Sequence, residues 1–508
     1  MDKARKRLMN ESFDIHGIWY LPEQNMEQDG VEGILKYSPD KIVLDLIGTF
    51  TGEDDEVFFS MQQTPEKKII YGFSNYGEKI TLFDCYPSNA KMSAPGFDTI
   101  SYSVNWFFAG TQQITSNSEK IIESCTFSLT YLDAWLDLRV IEITTNRENG
   151  SATISIDLEK ILTQKKCIEI KNPDISISEE LNRHIEFPKD YYSEEATRIV
   201  IHRFYRLSSK TGNLLSYDDC FENLHILRRL LVMLTGGPLH FLYIDLHLPN
   251  ETIRSFDESE HEYKHCCRAF FTQVGNISDI QKISPHKPGS MLIYRKDIFD
   301  SIENIFSNWF LQQAKLSEIV NPYISGLYLP AYQETKFLNT VRCLETYHRY
   351  FFDVAIKETQ IVDMEYEEDK IILLSFAAEN ISDDNKQEFI DRINYEDEGS
   401  LQKCLKALIK QTPASLIEKL FGQLNSKQKS KVVLTIVQTR NYYTHRDNQD
   451  KYPFAVDDRN TLDSYIKKLN VILQFWILKC VGVDSTIIEK RLSEYRKNYS
   501  AFSSKIDC

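Results

Sequence analysis

The sequence predicts an α+β multidomain protein, with a β-rich N-terminal region, a mixed middle region and an all-α helical bundle at the C-terminus. Short runs of β-branched and aromatic residues, separated by Gly, Pro, Asn and Ser, recur up to about residue 170. Amphipathic stretches fill residues 331–508, where apolar side chains recur every three or four positions. Because the chain has 508 residues, each region can bury its own core. We therefore divide it into residues 1–170, 171–330 and 331–508.

Composition and charge exclude several classes of protein. No apolar run approaches the roughly 20 residues that span a membrane. The N-terminus, Met1 to Arg7, is basic, but Asn10-Glu11-Ser12 follows where a signal peptide would have its apolar core. The sequence therefore predicts a cytoplasmic protein with no membrane partner. The net charge of −15 argues against a protein that coats nucleic acid non-specifically.

The cysteines and histidines give little support for a metal or cofactor site. The ten cysteines contain no Cys-x-x-Cys pair, which argues against a zinc ribbon or a thioredoxin-type centre. His261 and His265 are spaced to share one helical face, but no second ligand pair follows at zinc-finger spacing. Gly236-Gly237 lacks the Lys-Ser/Thr that would complete a phosphate loop. We therefore expect no metal and no cofactor.

Residues 1–170 are predicted to form an all-β sandwich or a barrel-like region. Trp19, Trp106 and Trp135 are most simply core or rim aromatics, and a ligand-binding groove is the alternative. The predicted strands run from Lys41 to Ile47, Lys68 to Phe73, Lys79 to Tyr86, Thr99 to Phe108, Cys125 to Leu132, Arg139 to Thr145 and Ser151 to Leu158.

The middle region, residues 171–330, mixes helices and strands. A helix is predicted to begin at Ser216 and to end at Gly236-Gly237-Pro238. Leu239 to Leu248 is predicted to be a strand. A further helix is predicted from Phe299 to Leu316, closed by Asn321-Pro322.

The C-terminal region is predicted to be a bundle of amphipathic helices. Its first helix places Glu345 and His348 on an apolar stripe, and a carboxylate there needs a partner. Residues 361–400 hold 13 acidic and 3 basic residues, and we interpret them as a solvated loop or insertion. Thr461 to Val481 is predicted to be a long apolar helix.

The clearest chemistry lies at the end of a predicted helix that begins at Ser426. Arg440-Asn441-Tyr442-Tyr443-Thr444-His445 combines a permanent cation, an amide and an imidazole. An Arg can hold a phosphate through two hydrogen bonds, and a His can transfer a proton near neutral pH. These groups suffice for metal-free RNA cleavage, in which the 2′-hydroxyl is the nucleophile. Arg440 and His445 lie roughly 140° apart on an ideal helix, so they converge only if the helix ends or loosens here. The polar run Arg446 to Asp450, followed by Pro453, predicts that it does.

Neighbouring residues add candidate groups for binding RNA. Lys431 and Arg446 indicate a local basic surface. Tyr442 and Tyr443 are spaced to stack on an unpaired base, and packing against the helical core is an equal alternative. Taken by spacing alone, the Arg-x4-His pattern is also typical of a surface Arg followed by a helix-capping His.

The string Arg440 to His445, flanked by amphipathic helices, resembles the Arg-Asn-x-x-x-His signature of HEPN ribonuclease domains. The order of regions resembles the ApeA-like family of bacterial anti-phage proteins, in which a long N-terminal region precedes a C-terminal HEPN domain. A weaker resemblance covers the first fifty residues, through Gly17 to Pro22, Gly33 to Tyr37 and Leu44 to Gly48.

This resemblance implies a metal-independent RNA endonuclease whose products carry a 2′,3′-cyclic phosphate and a 5′-hydroxyl. Arg440 would stabilise the scissile phosphate, and His445 would act in proton transfer. Asn441 would orient the phosphate or the backbone, and Glu345 would hold Arg440. HEPN domains commonly pair so that two motifs line one groove, which implies a homodimer or a higher homo-oligomer.

The resemblance also implies a toxin of an abortive-infection system. Residues 1–170 would sense a phage-derived trigger and restrain the nuclease, and the substrate would be host RNA, with tRNA as a candidate. The acidic segment 361–400 would then be either a solvated insertion or an electrostatic gate. The alternative from another class is a non-catalytic, HEPN-like scaffold that binds a protein or RNA partner.

Overall fold

The computed structural model of the chain describes residues 7–50, 67–91, 96–136, 141–146, 151–156, 163, 165–186, 198–254, 260–275, 289–352, 364–395, 401–445 and 448–503. The chain divides into two units, Met1–Phe310 and Leu311–Cys508. The first is built on an antiparallel sheet and the second is helical. The predicted fold class, with a β-rich N-terminal region and a helical C-terminal region, is confirmed.

Within the described residues, the N-terminal unit contains one 13-stranded sheet and two two-stranded ribbons, β9–β10 and β15–β16. The strands are β1 (Phe13–Tyr20), β2 (Val31–Ser38), β3 (Lys41–Ile47), β4 (Lys68–Ser74), β5 (Lys79–Lys91), β6 (Thr99–Ser103), β7 (Trp106–Gly110), β8 (Ser124–Leu129), β9 (Ile141–Asn146), β10 (Ser151–Ile156), β11 (Cys167–Ile170), β12 (Ile175–Glu186), β13 (Arg198–Ser209), β14 (Phe241–His247), β15 (Glu251–Arg254), β16 (Glu260–Tyr263) and β17 (Cys266–Phe271). The order in the large sheet is β11-β12-β13-β8-β14-β17-β7-β5-β4-β1-β2-β3-β6.

One end of this sheet closes on itself, because β5 pairs with β6 as well as with β4. The strands β5, β4, β1, β2, β3 and β6 therefore form a ring. The first half of β5, residues 79–83, pairs with β7, and the second half, from Tyr86 onward, pairs with β6. Asp84 lies at this change of partner with a φ of 50°, a value that non-glycine residues rarely adopt. The backbone thus leaves regular strand geometry where the ring branches from the rest of the sheet.

The tryptophans of the N-terminal unit pack as core aromatics. Trp19 is fully buried, and a Cβ on Gly72 would lie 2.3 Å from Trp19 Cε3, so only glycine fits opposite the indole. Trp135 is buried and its Nε1 donates to the carbonyl of Ile293 at 3.0 Å. Trp106 stacks on Tyr217, with ring centroids 4.9 Å apart. These contacts favour the core interpretation over the ligand groove.

Two predictions in this unit differ from the structure. The single strand predicted from Thr99 to Phe108 is two strands, β6 and β7. The boundary at residue 170 does not separate two units, because β8 lies between β13 and β14 in one sheet. Strand pairing between residues far apart in sequence joins the two predicted regions, and local patterns do not reveal such pairing.

The proposed helical face of His261 and His265 is also wrong. These residues lie on β16 and just before β17. The side chain of His265 instead contacts Glu251, with 3.1 Å between Nε2 and Oε2. In the part of the chain that the structure describes, no three His, Cys, Asp or Glu side chains are grouped to hold a metal ion.

The described helices of the N-terminal unit are α1 (Met26–Asp29), α2 (Leu132–Leu136), α3 (Tyr217–Thr235) and α4 (Ile302–Leu311). The limits of α3 are those that the sequence predicts. The side chain of Ser216 accepts from the Asp219 amide, and Gly236 ends the helix with a φ of 75°.

The C-terminal unit places α6 at its centre, packed against α5, α9, α11 and α12. Of the described helices in either unit, none has the length and apolar character required to cross a bilayer. The helices are α5 (Gln313–Tyr328), α6 (Gln333–Phe351), α7 (Met364–Asn380), α8 (Asp383–Tyr395), α9 (Leu401–Gln411), α10 (Ala414–Phe421), α11 (Ser426–His445), α12 (Arg459–Cys480), α13 (Ser485–Glu494) and α14 (Tyr499–Ser503).

Two expectations for the helices need correction. The helix predicted from Phe299 to Leu316 is two helices, α4 and α5, and Pro322 lies inside α5 instead of ending it. Burial of Leu316, Ile319 and Ile324 on the same helix offsets the roughly 3 kcal/mol cost of an interior proline.

The acidic segment is helical where it is described, forming α7 and α8, and is not a loop. Glu, Leu and Ala are good helix formers, so a high acid content does not by itself predict a loop. Ile371, Ile372 and Phe376 on α7 are exposed.

Candidate active site

The helix α11 carries the whole candidate motif and ends at its last residue, His445. Val432, Val433 and Ile436 bury one side of this helix. The backbone stays helical through the motif, and the Thr444 hydroxyl donates to the carbonyl of Arg440 at 2.7 Å. The helix thus ends at His445, as expected, but its backbone does not loosen between Arg440 and His445, so the two side chains do not converge. Within one copy the two side chains leave the helix roughly 140° apart.

Arg440 is half-buried and is held by its neighbour in the chain. Its Nη1 donates to Oδ1 of Asn441 at 3.0 Å. Among the described residues, no carboxylate forms an ion pair with this guanidinium. Because a guanidinium has five N–H donors, this one hydrogen bond leaves the Arg440 guanidinium able to bind an anion.

Glu345 does not form the predicted pair with Arg440. Its Oε1 lies 2.9 Å from Nη2 of Arg349, one turn further along α6. Spacing of four residues places two side chains on the same helical face, so Arg349 competes successfully for the carboxylate. The residue that positions Arg440 in the described structure is Asn441, not Glu345.

The two tyrosines of the motif have different environments. Tyr443 is buried and its hydroxyl donates to the carbonyl of Val456 at 3.1 Å, so this side chain packs in the bundle. Tyr442 is half-buried, and its ring centroid lies 6.4 Å from that of Tyr452 in an edge-on arrangement. Of the pair, Tyr442 is the one placed to meet a ligand.

The predicted basic residues do not gather around Arg440. Lys431 is exposed but precedes Arg440 by nine residues, which places it on the opposite face of the helix and about 14 Å away along the axis. Arg446 lies outside the described residues. His445 is exposed at the end of the helix, where a substrate can reach it.

Sequence reasoning missed the contacts that fix the segment after the motif, residues 452–456. The Phe454 amide donates to Oε1 of Gln438 at 2.7 Å, and the Val456 amide donates to Oγ1 of Thr439 at 2.9 Å. A turn joins the Ala455 amide to the Tyr452 carbonyl at 2.9 Å, around Pro453. Polar residues at two consecutive positions of an otherwise amphipathic helix, just before a proline loop, were the available signal.

Thr439→Val is expected to lower the free energy of unfolding of the C-terminal unit by about 1–3 kcal/mol. Thr439 is fully buried, and the substitution leaves the Val456 amide without its acceptor. Urea unfolding measures the change. The matched control is Thr444→Val, since Thr444 is exposed and we expect a change below about 0.5 kcal/mol. Equal effects of the two substitutions would contradict the structural role of Thr439.

Comparison with known proteins gives two matches to family models. A model described as ApeA N-terminal domain 1 matches residues 14–309, which is more than half of the chain, and a model described as Apea-like HEPN matches residues 338–487. No curated protein and no solved structure gives a match. The second match contains all of α11, and with it Arg440 and His445. The chain therefore belongs to the ApeA family, and at the level of that family it is an anti-phage defence protein with a C-terminal HEPN nuclease domain.

Proposed function

We propose that the protein is a metal-independent endoribonuclease that cuts host RNA, with tRNA as a candidate substrate, when infection is sensed. The observation that carries this proposal is the end of α11. There Arg440, oriented by Asn441 and without a carboxylate partner among the described residues, lies five residues before an exposed His445. A cation that binds phosphate and a group that transfers protons are the two functions that the reaction requires.

In the proposed reaction, the ribose 2′-hydroxyl attacks the adjacent phosphorus, and the bond from phosphorus to the 5′-oxygen breaks. His445 takes part in the proton transfers at these oxygens. Arg440 stabilises the negative charge that develops on the non-bridging oxygens. The products are a 2′,3′-cyclic phosphate and a 5′-hydroxyl, and neither an oxidant nor a metal is required for this balance.

We further propose that the active site is shared between two copies of the chain. The backbone is helical from Arg440 to His445, so these two side chains of one copy diverge by roughly 140°. Two helices packed side by side bring Arg440 of one copy opposite His445 of the other. This arrangement makes the active protein a homodimer or a larger homo-oligomer.

The proposed regulator is the N-terminal unit, which responds to a phage-derived trigger and restrains the nuclease. The acidic helices α7 and α8 are the proposed gate, because carboxylates held over the groove would repel the phosphates of RNA. Their charge is confined to one segment, while the rest of the chain is only mildly acidic. If such a gate controls access of RNA to the site, cleavage should start when the trigger is added, and adding a metal ion should not start it.

The test is cleavage of labelled total tRNA by the purified protein in EDTA, with and without extract from phage-infected cells. We expect products that a polynucleotide kinase labels directly at the 5′ end and that a phosphatase attacks only after acid opens the cyclic phosphate. Restoration of activity only on adding Mg²⁺ would contradict the metal-independent mechanism. Absence of cleavage under every condition would favour the non-catalytic scaffold.

A further inference from the structure

The helix α7 carries large apolar side chains on its surface. Ile372, Leu373 and Phe376 are 64%, 55% and 61% exposed. Spacings of three and four residues place them side by side on the helix. The buried side of α7 passes through Ala377, which is 2% exposed, and α7 packs mainly against α8. Apolar side chains that lie together on a surface mark a site of interaction, whereas single exposed ones are ordinary.

Acidic side chains lie at both ends of this apolar strip. Glu368 and Asp369 precede it by one helical turn, and Glu379 follows it by one turn. All three are exposed, and among the described residues none of their carboxylates forms an ion pair. The strip is therefore apolar in its centre and carries uncompensated negative charge at each end. We call this surface the α7 face, and it consists of Glu368, Asp369, Ile372, Leu373, Phe376 and Glu379.

The charges at the two ends restrict the kind of partner that can cover the α7 face. The carboxylates repel the phosphates of RNA and an anionic lipid surface. They also oppose a second copy of the same face. In an antiparallel pair of α7 helices, Glu379 of one copy meets Glu368 and Asp369 of the other, and in a parallel pair each carboxylate meets its own counterpart. Such juxtaposition of like charges suppresses association. A partner with an apolar centre and cations at both ends is complementary in both respects.

We propose that the α7 face binds a basic amphipathic helix of a partner protein. Such a helix lays its apolar side chains, spaced i, i+3, i+4 and i+7, on Ile372, Leu373 and Phe376. Its Lys or Arg side chains, one turn beyond the apolar stripe at each end, pair with the carboxylates of the α7 face. The proposal goes beyond the proposed nuclease and does not depend on it, because it concerns binding and not cleavage.

The test is the binding of a synthetic helix to the full-length protein. The probe is a fluorescein-labelled peptide of about 18 residues, with Leu on one face and Lys on the other, and its binding is followed by fluorescence anisotropy. Phe376→Ser is expected to weaken binding by at least about 10-fold, because a central aromatic side chain contributes most to a surface of this kind. Since the ring is exposed, the circular dichroism of the protein should not change.

The carboxylates are tested separately from the apolar centre. The triple variant Glu368→Gln, Asp369→Asn, Glu379→Gln is expected to bind the probe about 10-fold more weakly at low salt. Its binding should also vary less with salt than that of the wild type, because the charges that salt screens are gone.

The matched control is Ile371→Ser. Ile371 is 60% exposed on the same helix but lies about 140° from Phe376 around the axis. The affinity of this variant for the probe should stay within about twofold of the wild type. A second control is a peptide of the same composition with Leu and Lys in scrambled order, which should bind the wild type much more weakly because it has no apolar stripe.

Several results would overturn the proposal. Equal affinity of Phe376→Ser and the wild type for the probe, or equal binding of the ordered and scrambled peptides, would show that the α7 face does not bind a basic amphipathic helix. If Phe376→Ser separates copies of the protein in light scattering and leaves probe binding unchanged, the face is a contact between copies. If the wild type binds vesicles of anionic lipid and Phe376→Ser does not, the face binds a membrane. Weaker probe binding by Phe376→Ser but not by Ile371→Ser supports the proposal, whether or not the protein cuts RNA.

Discussion

His445→Ala is expected to lower the rate of RNA cleavage by about 100- to 10,000-fold, the usual contribution of a positioned acid–base group. Arg440→Ala should lower it by a similar factor, because the developing charge on the phosphate loses its cation. Neither change should alter folding, since His445 is exposed and Arg440 is only half-buried. Single-turnover cleavage of labelled RNA in EDTA measures both rates.

The two variants together test whether the site is shared between copies. In a mixed dimer of Arg440→Ala and His445→Ala chains, one composite groove lacks both groups and the other retains both. The isolated mixed dimer should therefore cut at about half of the wild-type rate, since one groove of two is complete, whereas each variant alone remains inactive. A co-expressed mixture that pairs at random contains mixed dimers as half of its dimers and should cut at about a quarter of the wild-type rate. If the mixture stays inactive although purification through two different affinity tags isolates mixed dimers, Arg440 and His445 act within a single copy.

A control for surface charge is Arg349→Ala. Arg349 is an exposed cation of the same unit and pairs with Glu345. The Arg349→Ala protein should cleave RNA at a rate within about twofold of the wild type, because surface substitutions away from special features have small effects. If Arg349→Ala lowered the rate of cleavage as much as Arg440→Ala does, the pair of Glu345 and Arg349 would have a role in catalysis.

Much of this architecture is predictable because it depends on local pattern. The limits of α3 follow from a capping box at Ser216 and a glycine at 236, and α11 follows from apolar spacing after Ser426. The partners of side chains are not local in this sense. Arg342 and Arg349 both lie within one helical turn of Glu345. The sequence alone does not show that Arg349 is the one that pairs with the Glu345 carboxylate. The contacts of Gln438 and Thr439 with residues 454 and 456 depend on the path of a loop, which periodicity does not predict.

The sheet shows the same limit at a larger scale. Strand positions such as Lys41–Ile47 are readable from alternation and turn residues. The pairing of β8 with β13 and β14 joins residues more than 70 positions apart, and no local signal encodes it. The boundary drawn at residue 170 therefore cut through one sheet.

Glu179→Gln is expected to lower the free energy of unfolding of the N-terminal unit by about 3–5 kcal/mol, the cost of leaving one partner of a buried ion pair alone. Glu179 is 1% exposed on β12 and accepts from Nε and Nη2 of Arg295 at 2.7 and 2.5 Å. It also accepts from the Lys166 amide at 3.0 Å. The glutamine has nearly the same shape but no charge, so the guanidinium of Arg295 stays buried without its counter-ion. Urea unfolding followed by the fluorescence of the buried tryptophans measures the loss.

The next residue in the chain supplies the matched control. Glu180 points to the other face of β12 and makes a partly exposed ion pair with Lys165 at 2.7 Å. Glu180→Gln should cost only about 0–1 kcal/mol, because water and mobile ions screen such a pair. The double variant Glu179→Leu, Arg295→Met should lose less than the sum of its single substitutions, since removing both charges leaves neither unpaired. Equal costs for Glu179→Gln and Glu180→Gln would mean that burial does not make the Arg295 pair special.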